Sequence, residues 1–158
     1  MKGVLVVVSC GKRKIWDKDP DRGPTPARDA YIGAPFKVSK EYAEHFAERW
    51  VILSAKYGFI APDFEIPGPY DVSFSNPSTR PVAVSVLTNQ IAQEGLDRFK
   101  IIVGLGGRCY REAIEAAYRS KSARLCFPFA GLPIGKAMQA AKRAIALDDP
   151  CAQRGSGR

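Results

Sequence analysis

Ser9-Cys10-Gly11-Lys12-Arg13-Lys14 sets a hydroxyl, a thiol, a glycine and three cations side by side. Such a turn offers backbone N–H groups and concentrated positive charge to an anion such as a phosphate. The cations around Cys10 suit it to a nucleophilic role, the plainer alternative being a small buried residue beside a solubilising charge cluster. Three further blocks carry chemistry of the same kind. Ser54-Ala55-Lys56-Tyr57-Gly58 pairs a lysine able to hold phosphate with a tyrosine able to stack a base. In Pro69-Tyr70-Asp71 the carboxylate follows an aromatic, an arrangement that serves a general base or a water-orienting group. Arg28-Asp29-Ala30-Tyr31 adds an anion contact and another ring, or else a local ion pair of little consequence.

Glycines supply the remaining signal. Gly104-Leu105-Gly106-Gly107 resembles half of a dinucleotide fingerprint, and its glycines would let a phosphate approach a helix N-terminus. The complete G-x-G-x-x-G spacing is absent and no ribose-binding acid ends the next strand, which argues against NAD. Gly131-Leu132-Pro133-Ile134-Gly135 forms a second small-residue turn, with Tyr110 just past the first.

Alternating strands and helices are needed to position these blocks. Apolar runs predict strands over 4–9, 50–54, 100–104 and 124–127, and apolar periodicity predicts helices over 36–48, 79–98, 108–119 and 135–147. Ser78 or Thr79 would cap the second helix, and Val82, Val86 and Leu87 would form its buried stripe. Residues 15–35 and 58–77 read as Pro/Gly-rich loops. The expected fold is α/β, a single three-layer, Rossmann-like domain over 1–147 with a mostly parallel sheet of at least four strands. The tail, 148–158, reads as disordered. Right-handed crossovers would gather loops 9–14, 54–58, 104–110 and 128–135 at one edge.

With 24 Lys+Arg against 16 Asp+Glu, the formal net charge of +8 favours an acidic partner or substrate. The only histidine, His45, reads as solvent-facing in a helix, which argues against a Ser-His-Asp or Cys-His machine. Cys10, Cys109, Cys126 and Cys151 are scattered without a C-x-x-C pair, so neither a metal nor an organic cofactor is expected. Reduced thiols and the lack of a secretory signal or long apolar stretch point to a cytoplasmic protein with no membrane partner.

Taken together, Ser9-x-x-Lys12, Tyr31, Leu53-Ser54-x-x-Tyr57-Gly58, Pro62, Pro69-Tyr70 and Tyr110 follow the order seen in the YaaA-like family, which the chain resembles as far as about Ile145. It looks closer still to a small prokaryotic family sharing S-C-G-K-x-K, L-S-A-K-Y-G, P-Y-D and G-L-x-I-G blocks. The resemblance implies a nucleic-acid connection: YaaA-like proteins are associated with DNA binding and oxidative-stress protection, and related domains with 7-deazaguanine bases in DNA and tRNA. It also implies a uracil-DNA-glycosylase-like variant of the α/β fold and a pocket containing Ser9, Lys12, Tyr57, Gly58, Tyr70 and Tyr110. Cys10, Lys14, Lys56 and Asp71 belong to the smaller family's pattern. The long segment that YaaA-like proteins carry after the first strand is missing here.

The expected function is an enzyme acting on a nucleobase or nucleotide, free or in nucleic acid. Cys10 or Asp71 would be catalytic, and the bound molecule would contact Ser9, Gly11, Lys12, Lys14, Arg28, Tyr31, Ser54, Lys56, Tyr57, Gly58, Tyr70, Gly106, Gly107, Tyr110, Gly131 and Gly135. The alternatives are a non-catalytic nucleic-acid-binding module and a partner-binding α/β domain.

Overall fold

The computed structural model describes residues 1–151. Its centre is β1 (Val4–Ser9), whose branched side chains are buried on both faces. Val4, Val6 and Val8 face one core, shared with α3 (Ala34–Phe46) and α6 (Ile134–Leu147). Leu5 and Val7 face the other, shared with α4 (Val84–Gln93) and α5 (Arg108–Ala117). The result is three layers, with helices on both faces of one sheet.

Strand β3 (Arg49–Ser54) pairs parallel to β1 on one side, with Val7 opposite Val51. On the other side β6 (Ile101–Leu105) also pairs parallel, with Val6 opposite Val103. Beyond β6 lies β7 (Arg124–Cys126), again parallel. The spatial order is β4-β3-β1-β6-β7, where β4 (Gly58–Ile60) is the one antiparallel member. The chain therefore first builds outward from β1 to β3, then returns across β1 to build β6 and β7. Loops leaving β1 and β6 diverge at that reversal and open a crevice at the strand ends, where open α/β sheets bind ligands. No helix among the described residues is long and apolar enough to cross a membrane.

Both expected loops contain short elements that periodicity does not reveal. Residues 15–35 fold into α1 (Ile15–Lys18), β2 (Thr25–Pro26) and α2 (Ala27–Ala30). The later loop contains β4 and β5 (Glu65–Ile66), the latter pairing antiparallel with β2 as a separate two-stranded ribbon. The second helix also starts later than its sequence suggests. Asn76 Oδ1 accepts from Ser78 N at 3.2 Å and caps only a single turn, 77–79. Arg80 then adopts a left-handed conformation (φ 57°) ahead of Pro81, and helix resumes at Val84. That shift buries Leu87 and Ile91, leaving Val86 exposed. At the C-terminus, Asp148–Cys151 make defined contacts: His45 Nε2 lies 2.9 Å from Asp148 Oδ1, and Tyr42 OH donates to Pro150 O at 2.6 Å. The rest of the expected tail, 152–158, lies outside the described residues.

Gln90 on α4 ties the antiparallel edge strand to the domain. Its amide donates to Tyr57 O and accepts from Phe59 N, each at 2.9 Å. Gly58 lies between them at φ 77°, where a Cβ would collide with the Gln90 side chain. Replacing Gln90 with alanine orphans both backbone groups, so Gln90→Ala should lower unfolding free energy by about 2 kcal/mol. Urea titration of the two proteins measures this, and equal midpoints would show the clamp to be idle.

Candidate functional site

The turns after β1 and β6, together with the loop between β7 and α6, enclose a cleft of about 1290 Å³ at the carboxyl ends of the strands. Its two halves differ. One is cationic: Lys12, Arg13, Lys14, Arg108 and Arg111 line the cleft, and Asp71 is the single acidic residue that does. The other is apolar and includes Phe36, Phe129, Leu132 and Met138, between the first turns of α3 and α6. Helices α3, α5 and α6 begin at Gly33, Gly107 and Pro133, all on the wall, and no side chain caps any of the three. Their first-turn N–H groups and positive dipole ends add to the charge of the cations.

The bond that shapes the cationic half joins Ser9 Oγ to Leu105 O at 2.6 Å. Gly106 sits against it at φ 145°, and any Cβ there would collide with Ser9 Oγ. Ser9 and Gly106 are therefore needed as structure, whatever they touch in a ligand. Arg111 Nε is buried with no hydrogen-bond partner. An unpaired guanidinium nitrogen in a cleft wall is stabilised by an acceptor such as a phosphate oxygen.

Beneath the cleft floor lies a layer of phenols around Cys10, which is 7 % exposed. Tyr110 OH donates to Cys10 O at 3.0 Å, using its one proton, so the Cys10 thiol donates to the phenol oxygen at 3.2 Å. Ser54 Oγ accepts from Lys56 N and Tyr57 N, leaving its own proton for Tyr70 OH at 2.9 Å. Tyr70 OH in turn bonds Tyr31 OH. Lys14, also 7 % exposed, holds its ammonium 4.4 Å from the centre of the Tyr70 ring and donates to Lys12 O at 3.2 Å. Among the described residues no carboxylate lies within ion-pairing distance of it. A buried cation without a counter-ion is costly unless an anion completes it.

Of the residues expected at the site, Ser9, Cys10, Gly11, Lys12, Lys14, Asp71, Gly106, Gly107, Tyr110 and Gly131 line this one cleft. Tyr31, Ser54 and Tyr70 form the supporting layer behind it. The rest of the loop after β3 packs against this layer without lining the cleft, because residues 54–58 reverse tightly into β4: the Tyr57 ring meets Tyr70 edge-on with centres 5.4 Å apart, and the Lys56 ammonium lies 5.6 Å from the Tyr70 ring centre. Lys56 is exposed, with its ammonium 5.3 Å from the Tyr57 ring centre. Tyr57 faces a separate cavity of about 390 Å³ beside Phe64. Gly58 serves the Gln90 clamp, Arg28 lies 3.9 Å from Asp29 on the surface, and Gly135 is outside the lining. Arg108, Arg111, Phe36 and Phe129 went unread; the two arginines, three apart after a glycine turn, were the available signal. Among the described residues no cluster of His, Cys, Asp or Glu could hold a metal ion.

The model of a family of unknown function, DUF6884, matches residues 5–143. The uncharacterized protein YfjM of Bacillus subtilis (strain 168) is 37% identical over 142 residues, covering 89% of this chain and 94% of that protein. Among solved structures, the crystal structure of AF0587, a protein of unknown function, aligns with a TM-score of 0.44 at 12% identity. The alignment covers 100% of this chain, which spans 47% of that one.

Burial is the first cause holding the Tyr31, Tyr70 and Tyr110 phenols well above their ordinary pKa, with the Cys10 sulfur adding to it. Burial also raises Tyr42 and Tyr118. A phenol that ionises more easily unfolded than folded gives stability that is intact below about pH 10 and lost above it. The loss is about 1.4 kcal/mol per pH unit for each buried group. Alkaline unfolding should thus be one cooperative step, with phenolate absorbance rising together with loss of circular dichroism, and Tyr31→Phe should flatten its pH slope by about one proton. Gradual ionisation of these tyrosines in the folded protein near pH 10 would contradict the buried layer.

Proposed function

The chain belongs to the family of unknown function DUF6884, and we propose that it is an enzyme acting on a nucleobase or nucleotide, free or within nucleic acid. The observation that carries this reading is the two-part cleft, with five cations against one carboxylate on one side and an apolar wall on the other. A nucleotide has the same two parts. Its phosphate would lie over Gly106 and Gly107 against Lys12 and Arg111, where the start of α5 adds N–H donors. Its base would pack on the apolar wall, with the rings of Tyr110 and Phe129 in reach of its face. The YaaA-like order of the sequence blocks supports the same class of substrate.

Two chemistries suit the lining. In glycosidic hydrolysis Asp71 takes a proton from water as the water oxygen attacks the sugar carbon; the carbon–nitrogen bond breaks and its electron pair leaves with the base. In base modification the Cys10 sulfur adds to a ring carbon while its proton ends on the adjacent ring nitrogen, so the carbon–nitrogen π bond opens as the carbon–sulfur bond forms. The first leaves Cys10 dispensable, and the second leaves Asp71 dispensable.

Incubation with nucleotides, nucleosides, single- and double-stranded DNA and tRNA, including deazaguanine-containing forms, followed by mass spectrometry, tests the reading. A released or altered base is expected. Its rate should fall at least about 100-fold in Asp71→Asn for hydrolysis or in Cys10→Ala for covalent modification. Lys12→Ala should weaken binding about tenfold. Salt-sensitive binding without product would instead favour a non-catalytic nucleic-acid-binding module. No binding and no product would overturn both.

A further inference from the structure

Cys126 ends β7, and its sulfur lies 4.0 Å from that of Cys151, just past the end of α6. Neither residue lines the cleft, and all four cysteines are free. The segment leading from α6 to Cys151 is held by three hydrogen bonds. Asp149 N donates to Ala144 O at 3.0 Å, Tyr42 OH donates to Pro150 O at 2.6 Å, and Cys151 N donates to Asp149 Oδ1 at 3.1 Å. These bonds hold Cys151 beside β7 and keep its sulfur close to that of Cys126. A disulfide needs about 2.05 Å between sulfurs. Rotating the exposed Cys151 side chain is the movement available to close the gap.

We propose that Cys126 and Cys151 form a redox-active pair that closes to an intramolecular disulfide in the presence of a small-molecule disulfide such as oxidised glutathione. Cys151, exposed, attacks first. Its thiolate bonds to one glutathione sulfur, breaks the glutathione S–S bond and releases one glutathione thiolate, which takes a proton from solvent. Cys126, its proton lost to solvent, then attacks the Cys151 sulfur and expels the second glutathione. Two protein thiols are oxidised, and one small disulfide is reduced to two thiols. The order follows from burial, which raises the Cys126 thiol pKa, as does the neighbouring Cys151 sulfur, and so leaves Cys126 the slower to ionise.

The bond would reach the cleft through one side chain. Tyr42, whose hydroxyl holds Pro150, packs edge-on against Phe129 with ring centres 5.7 Å apart, and Phe129 is part of the apolar wall. The disulfide would fasten the tail to the strand that leads into that wall.

The test treats the full chain with oxidised glutathione, quenches with acid, and combines thiol counting with tryptic mass spectrometry. Two of the four thiols should disappear, with peptides 125–136 and 144–154 recovered as one cross-linked species. In Cys126→Ser the product should become a glutathione adduct on Cys151. The proposal falls if the native chain carries separate adducts on Cys126 and Cys151, if the cross-link joins two chains, or if all four thiols survive.

Discussion

Ser9 Oγ donates to Leu105 O at 2.6 Å, and this bond between the ends of β1 and β6 fixes how both turns leave the sheet. It fills the space in which Gly106 lacks a Cβ, so the two strand ends approach as closely as backbone permits. From that junction the chain runs one way through Cys10 to Lys14 and the other way through Gly107 to Arg108 and Arg111. The cations of the cleft are thus held on the two sides of a single contact. A bulkier residue at Gly106 would separate them and open the floor.

Behind the junction, polarity is handled in an unusual order. Lys14 is buried without a carboxylate, its ammonium over the face of Tyr70 and bonded to a backbone carbonyl. Tyr70 is oriented by Ser54 and Tyr31, so hydrogen bonds supply direction where a salt bridge would otherwise supply charge balance. The unpaired Nε of Arg111 extends the same condition to the wall. The lining of such a cleft carries an excess of positive charge that an anion would balance.

The sheet was legible because its parallel strands are continuous apolar runs, and such runs have few other uses in a chain of this size. The five elements that periodicity hid are two to four residues long, apart from any scale on which a period can register. The start of α4 was misread for a different reason. Ser78 and Thr79 have the chemistry of caps, but Asn76 captures the local N–H and Arg80 turns the backbone away. At the site, the turns after β1 and β6 could be read because glycines and cations adjoin strands. Lys56 and Tyr57 looked equivalent to them, yet an antiparallel strand follows, and both pack against Tyr70 behind the cleft without lining it. The Tyr31–Tyr70–Ser54 layer depends on side chains brought together across 16 and 39 positions, which local spacing does not encode.

The central place of β1 also sets the order in which its edges can be satisfied during synthesis. Val4–Val8 leave the ribosome ahead of both partner strands and gain a partner on one edge only after Leu53 has emerged. The other edge waits for Leu105, about two thirds of the way along the chain. Through that interval the nascent protein presents an unpaired, uncharged β-branched strand, the kind of segment that associates with its own copies. Lys12, Arg13 and Lys14 follow directly behind it as like charges on every copy. The cluster that lines the finished cleft therefore also sets like charges directly behind the segment with the strongest tendency to self-associate.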